Sequence, residues 1–96
     1  MPTAREGSFE WDTDKAEQNA AKHGVSFEEA ITVIEAPGVQ IYDDGSSSGR
    51  LLALGFSLRG RLLAVIYVER GELDRIVSAR EATRAEESLY VKGESV

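Results

Sequence analysis

Six arginines lie in one stretch of the chain, from Arg50 to Arg80, which reads as three strands joined by two turns. A guanidinium stays charged and presents a planar fork of donors that binds phosphate oxygens bidentately. We expect Arg59, Arg61 and Arg80 to meet at one edge of the sheet, because the first turn and the end of the third strand lie on the same side. The pattern is compatible with an anion-binding edge, and the alternative is that each arginine is merely a solvated charge at a strand end.

Proton carriers are few in this sequence. The chain has one histidine, His23, beside Lys22, and the tyrosines Tyr67 and Tyr90 are the other candidates. Histidine is the side-chain type whose ordinary pKa lies nearest neutrality. As an alternative, His23 precedes a helix-ending Gly24, where it can bond the last carbonyls and complement the helix dipole. With no cysteine and one histidine, the composition argues against a zinc site, and we expect no metal and no cofactor.

Charge is distributed unevenly along the chain. The net charge is −6, but residues 1–49 hold three Lys or Arg against ten Asp or Glu, while residues 50–84 hold seven Arg against four. A basic sheet inside an acidic shell can contact phosphate locally even though the whole molecule repels nucleic acid at long range. The sequence has no apolar run long enough to cross a membrane and no signal peptide, so we expect a cytoplasmic protein.

The arginine-rich stretch predicts an antiparallel meander. Residues 51–58 alternate large and small apolar side chains with a period of two, residues 62–68 form an unbroken apolar run, and residues 73–79 return as a third strand. Arg59-Gly60 is expected to be a two-residue loop, which places Leu58 opposite Arg61. Residues 62–68 are expected to be the central strand.

The rest of the chain predicts three helices and two further strands. Asp12 or Thr13 caps a helix that ends near His23, Ser26 opens a capping box with Glu29, and Thr83 opens a second with Glu86. Residues 9–11 and 39–42 read as short strands, and residues 43–49 as a flexible loop. The predicted order is β-α-α-β-β-β-β-α, an α+β fold, with a disordered N-terminus at 1–8, one domain at 9–92 and a tail at 93–96.

Several motifs together resemble the BrnT family. They are FEWD at 9–12, Lys15, Asn19, KHGVSFE at 22–28, Arg50, GRLL at 60–63, and RIVSAR at 75–80 with Ala82, Glu86 and Tyr90. The combination in this order covers about residues 9 to 92 and is specific, although each motif alone is weak.

This resemblance implies a RelE-like ribonuclease toxin, with a mainly antiparallel sheet and its helices packed on one face. It implies an adjacently encoded BrnA-like antitoxin as partner, an RNA substrate, DNA contact only through the antitoxin, and a homodimer or heterotetramer. Metal-free RNA cleavage needs a base, an acid and cations around the phosphate. We assign Lys22, His23, Arg61 and Arg80 to catalysis and Arg50, Arg59, Arg70 and Arg84 to the RNA phosphates.

One departure from the family supports an alternative. Where the family usually carries more Lys and Arg around its last helix, this chain has Glu81, Ala85, Glu87 and Ser88 and keeps only Arg84. Fewer cations weaken RNA binding. The alternative is a binding module that pairs with the antitoxin but has lost the reaction. A third interpretation is an enzyme or structural domain unrelated to the family.

Overall fold

A computed structural model describes residues 2–46 and 49–93 of the chain. Its elements in chain order are β1 (Thr3–Glu6), β2 (Phe9–Asp12), α1 (Thr13–His23), α2 (Phe27–Ile34), β3 (Gln40–Asp43), β4 (Arg50–Phe56), β5 (Leu62–Arg70), β6 (Leu73–Glu81) and α3 (Arg84–Lys92). The predicted helices begin at the predicted caps: Asp12, Ser26 and Thr83 accept backbone N–H groups of α1, α2 and α3, respectively. The prediction that α1 ends at a left-handed Gly24 is confirmed by a φ of 70°.

The sheet has six strands in the order β1-β2-β6-β5-β4-β3. All neighbours are antiparallel except β2 and β6, which pair in parallel through Phe9 with Asp74 and Glu10 with Arg75. The predicted α+β class with a mainly antiparallel sheet is therefore confirmed. The apolar run that was expected to be central forms most of β5, which lies between β4 and β6.

The chain has an additional strand at its N-terminus. Thr3–Glu6 forms β1, whereas the polar composition with Pro2 and Gly7 indicated disorder over residues 1–8. The strand forms because Gly7, with a φ of 59°, turns the chain back so that Glu6 pairs with Phe9 and Thr3 with Asp12. Of the expected tail at 93–96, Gly93 caps α3 and the remainder lies outside the described residues, as do Met1 and two positions of the expected loop at 43–49.

The helices pack on both faces of the sheet, so the prediction of helices on one face is wrong. The larger core joins Phe27, Ala30 and Val33 of α2 to side chains such as Ala53 and Val65, which pair across β4 and β5. The opposite face carries a second cluster that includes Leu54, Ala64, Leu89 and Tyr90, so α3 covers that face. The alternation in β4 was predicted correctly, but both faces of this strand are covered, one by α2 and the other by α3.

The turn between β4 and β5 is one residue longer than predicted. The Ser57 N–H donates to the carbonyl of Arg61, and the Gly60 N–H donates to the carbonyl of Ser57, which leaves three residues in the loop. Gly60 has a φ of 77°, the left-handed residue that a three-residue hairpin loop requires. Leu58 therefore lies in the loop and does not face Arg61.

Asn19 joins α1 to the outer edge of β6. Its side-chain amide donates to the carbonyls of Ala79, at 2.8 Å, and Val25, at 3.0 Å, and its oxygen accepts the N–H of Ala79. Both Asn19 and Ala79 are buried. Among the described residues, β2 pairs with β6 at Asp74 and Arg75 alone, so a side chain meets the backbone of Ala79 in place of a strand.

A second buried polar cluster is centred on Glu29 in α2. Its carboxylate accepts hydrogen bonds from the Ser57 hydroxyl, at 2.6 Å, and from Nε of Arg61, at 3.1 Å. Arg61 also donates to the carbonyl of Gly24, at 2.9 Å. The hydrogen bond from Arg61 is the main cause that lowers the pKa of Glu29, against the opposing effect of desolvation, and Ser57 lowers it further. The cluster thus ties the end of α1 and the β4–β5 turn to α2.

We expect the replacement of Asn19 by leucine to destabilise the fold. Asn19→Leu removes the partners of the Ala79 N–H and carbonyl, and a buried unsatisfied backbone group costs about 1–3 kcal/mol. Urea unfolding should show this loss, whereas the exposed neighbour variant Gln18→Ala should change the free energy of unfolding little. Equal midpoints for the two variants would show that Asn19 is dispensable.

The stability of the fold should fall in acid through Glu29. Because its pKa is lower in the folded protein than the usual 4.5, its contribution is present above pH 4.5 and is lost as the pH falls through the folded value. Glu29→Gln should lower the free energy of unfolding by about 1–3 kcal/mol at pH 7 and flatten its decline in acid. Thermal melts from pH 7 to 3 test this, with Glu28→Gln on the same helix as the exposed control. Parallel curves for wild type and Glu29→Gln would contradict it.

Candidate active site

The predicted arginines lie at two ends of the sheet. Arg50 begins β4 opposite Val68, and Arg70 ends β5 at the β5–β6 turn. Arg61 precedes β5 at the other end, nine residues from Arg70, which corresponds to about 30 Å of extended strand. Arg50 and Arg70 therefore cannot contact the same phosphate as Arg61.

Arg80 lies on the α3 face of the sheet. It pairs across the strands with Ala64, which belongs to the cluster under α3. Its guanidinium donates to both carboxylate oxygens of Glu86, at 2.7 and 3.0 Å, and this is the main cause that lowers the pKa of Glu86. Glu86 also accepts the backbone N–H of Thr83 in the capping box of α3. Arg80 thus holds the start of α3, and the exposed Arg84 follows directly after that cap.

Arg61 lies on the opposite face from Arg80. Its fork is occupied by Glu29 and the Gly24 carbonyl, and Glu81 approaches it to 3.8 Å. Arg59, with 71% of its side chain exposed, lies 3.7 Å from Glu29. The structure therefore places Arg59 and Arg61 together, as expected, but separates them from Arg80 by the thickness of the sheet.

Lys22 and His23 lie in the last turn of α1, above β6. An open cleft of about 310 Å³ separates the two elements, and we name it the α1–β6 cleft. It is lined by Lys15, Gln18, Asn19, Lys22, His23, Val77 and Ser78. His23 is followed by Gly24, whose carbonyl Arg61 binds, so Arg61 holds the backbone at this end of the cleft.

The basic side chains of the α1–β6 cleft have no partner within the part of the chain that the structure describes. Across residues 2–46 and 49–93, Lys15, Lys22 and His23 form neither an ion pair nor a side-chain hydrogen bond. Arg61 and Arg80 differ in this respect, since each is bound to a glutamate. The cleft therefore presents free cations and a histidine to an anionic ligand.

Of the residues that line this cleft, only Lys22 and His23 had an assigned role in the sequence analysis. Lys15, Gln18, Asn19 and Lys22 recur at helical spacing, which places them on one side of α1. This polar stripe on α1 is the sequence pattern from which the cleft could have been predicted. Ser78 had no such signal, because its position follows from a bulge in β6 between the pairs made by Ile66 and Tyr67.

Within the described part of the chain, no helix is both long and apolar enough to span a membrane. Over the same residues, histidine, aspartate and glutamate form no group of three that is suited to hold a metal ion.

Comparisons with known proteins agree with this architecture. The family described as "Ribonuclease toxin, BrnT, of type II toxin-antitoxin system" matches residues 11–86. The crystal structure of the Brucella abortus ribonuclease toxin, BrnT, is similar to this chain with a TM-score of 0.64 and 26% identity, covering 77% of this chain and 94% of that one. Curated proteins give no match. A RelE-like description fits the six-stranded sheet only loosely. This chain belongs to the BrnT family, the ribonuclease toxins of type II toxin-antitoxin systems.

Proposed function

We propose that this toxin cleaves RNA in the α1–β6 cleft. The observation that carries the proposal is the set of unpartnered basic side chains there, Lys15, Lys22 and His23, around an open volume of about 310 Å³. An RNA phosphate fits such a site because it neutralises cations that nothing in the described chain neutralises. The paired arginines Arg61 and Arg80 offer their guanidiniums less readily, since each would have to leave a carboxylate.

The proposed chemistry is transfer of the phosphate to the neighbouring 2′-oxygen. His23 accepts the proton of the 2′-hydroxyl, the 2′-oxygen forms a bond to phosphorus, and the bond to the 5′-oxygen breaks. Lys22 donates a proton to that leaving oxygen, and Lys15 binds the non-bridging phosphate oxygens in the substrate and the transition state alike. The products are a 2′,3′-cyclic phosphate and a 5′-hydroxyl, so no metal or water is consumed in this step.

Arg61 serves this site as a positioning residue. Its guanidinium binds Glu29 and the carbonyl of Gly24, next to His23 in the chain. It therefore fixes the backbone of the α1 C-terminus. The exposed Arg59 in the neighbouring turn is the proposed contact for a flanking phosphate, whereas the roles predicted for Arg50, Arg70, Arg80 and Arg84 remain predictions to be tested separately.

The identity of the antitoxin and the assembly that it forms with the toxin are a further part of this proposal. A type II system supplies an antitoxin, and we propose that it is BrnA-like, encoded beside this gene and responsible for any contact with DNA. We propose that both proteins act in the cytoplasm, where the RNA substrate is found. A toxin homodimer or a heterotetramer with the antitoxin is the proposed assembly.

Substitutions in the cleft should separate chemistry from binding. His23→Gln should lower kcat by about 10²–10⁴-fold, the usual contribution of a general base. Lys15→Gln should mainly raise KM, because it removes a phosphate contact. Single-turnover and steady-state cleavage of a labelled RNA measures both. Lys92→Gln, in the last turn of α3 and outside the cleft, is the charge-matched control and should keep wild-type rates.

Arg80 provides the competing location for the active site. If Arg80→Ala abolishes cleavage in a folded protein while His23→Gln does not, the site lies on the α3 face and the cleft is wrong. Arg80→Lys then tests the bidentate contact, since an ammonium lacks the fork. Loss of cleavage together with an early thermal transition would instead assign Arg80 to the support of α3 through Glu86.

A further inference from the structure

We propose that a groove on the other side of α1 receives a basic segment of the antitoxin that carries large apolar side chains. The groove has a volume of about 310 Å³ and lies between β1, α1 and the start of α2. We name it the partner groove. The proposal rests on the pairing with an antitoxin described above and assigns that pairing a surface.

The partner groove is open because small side chains form part of its lining. Ala4 of β1 and Ala16 and Ala20 of α1 line it, above the edge-to-face pair of Trp11 and Phe27, whose ring centroids are 6.2 Å apart. Trp11 is 4% exposed and Phe27 is 0% exposed, so the floor is rigid core and not a movable side chain. A volume near the lower end of the range for ligand pockets, about 300–1,000 Å³, suits apolar side-chain anchors from a partner.

The charge of the groove rim determines the class of partner. Glu17 and Glu28 line it, and over residues 2–46 and 49–93 neither carboxylate forms an ion pair with Lys, Arg or His. The described residues that line this groove include no lysine or arginine. An RNA strand is repelled by such a rim, whereas a segment rich in Lys or Arg pairs with both carboxylates. Charge complementarity therefore favours a basic peptide segment.

The two sides of α1 are chemically distinct. Thr13, Ala16, Glu17 and Ala20 line the partner groove, whereas Lys15, Gln18, Asn19 and Lys22 line the α1–β6 cleft. The two sets are offset by two residues, a rotation of about 200° because each residue of a helix turns the chain by about 100°. Helix α1 thus presents its acidic, small-residue side to the partner and its basic side to RNA.

Another apolar surface competes with the partner groove. Phe56 is 51% exposed and Leu58 is 88% exposed, and they border a smaller groove of about 260 Å³ with Glu35. The exposed Arg59 follows Leu58, so both charge signs are found at this surface. Its chemistry selects no particular partner, and it serves as the comparison surface in the test.

The test measures binding of the antitoxin encoded beside this gene to purified toxin variants. The double variant Glu17→Lys/Glu28→Lys reverses the rim, and we expect Kd to rise at least about tenfold because like charges then meet at the interface. Ala20→Phe fills the groove without a change of charge and should weaken binding as well. Glu35→Lys, at the C-cap of the helix that begins beside Glu28 but at the other groove, is the control and should bind like wild type. Raising the salt concentration should weaken wild-type binding and affect the double variant less.

RNA cleavage by the free variants keeps the two proposals apart. Glu17 and Glu28 lie outside the α1–β6 cleft, so variants that lose the antitoxin should cleave RNA at the wild-type rate and escape inhibition by the antitoxin. If the double variant and Ala20→Phe both bind like wild type, or if only Glu35→Lys or Phe56→Ser weakens binding, the surface assignment is wrong. If wild type does not bind the antitoxin at all, the pairing and the surface are both wrong, while the cleavage assay still tests the active site.

Discussion

The fold depends on what binds the backbone N–H and carbonyl groups at the outer edge of β6 beyond the point where β2 stops pairing with it. The chain turns from β2 into α1 at Asp12, so the described β2–β6 pairs stop at Arg75. A buried strand edge without partners is costly, because each N–H and carbonyl has lost its water. The amide of Asn19 carries the same donor and acceptor as a peptide group and takes that place at Ala79. This contact fixes the rotation of α1 about its axis. The basic side of the helix therefore faces the α1–β6 cleft, and its acidic side faces the partner groove.

Arg61 and Arg80, the two arginines assigned to catalysis from the sequence, are held by carboxylates. A residue type predicts what a side chain can bind, but not whether a neighbour already binds it. Glu29 meets Arg61 across 32 residues of chain, a relation that no local pattern contains. Glu86 meets Arg80 across only six residues, and its capping-box position was read correctly, yet one carboxylate serves both the cap and the arginine. The capping-box motif therefore predicted the role of Glu86 at the start of α3, but not its ion pair with Arg80.

What the sequence could predict was set by short-range periodicity. Alternation in β4 and the caps at Asp12, Ser26 and Thr83 depend on residues within a few positions, and these elements were predicted correctly. The features that were missed need distant parts of the chain. The strand β1 exists because β2 pairs with it, and α3 lies on its own face because Leu54 and Ala64 form a second apolar surface there. Of the candidate site, Lys22 and His23 were proposed from their residue types, whereas their separation from Arg80 was not predicted.

The parallel pairing of β2 with β6 has a consequence for the synthesis of this protein. Phe9 is synthesised long before its strand partner Asp74, and Asn19 is synthesised long before its hydrogen-bond partner Ala79. Pairings between positions so distant in sequence form slowly and only when both are present. The cleft under α1 is therefore assembled only after most of the chain has left the ribosome. A nascent or prematurely ended chain lacks one wall of the cleft, so the proposed active site is complete only once β6 has been synthesised and has folded.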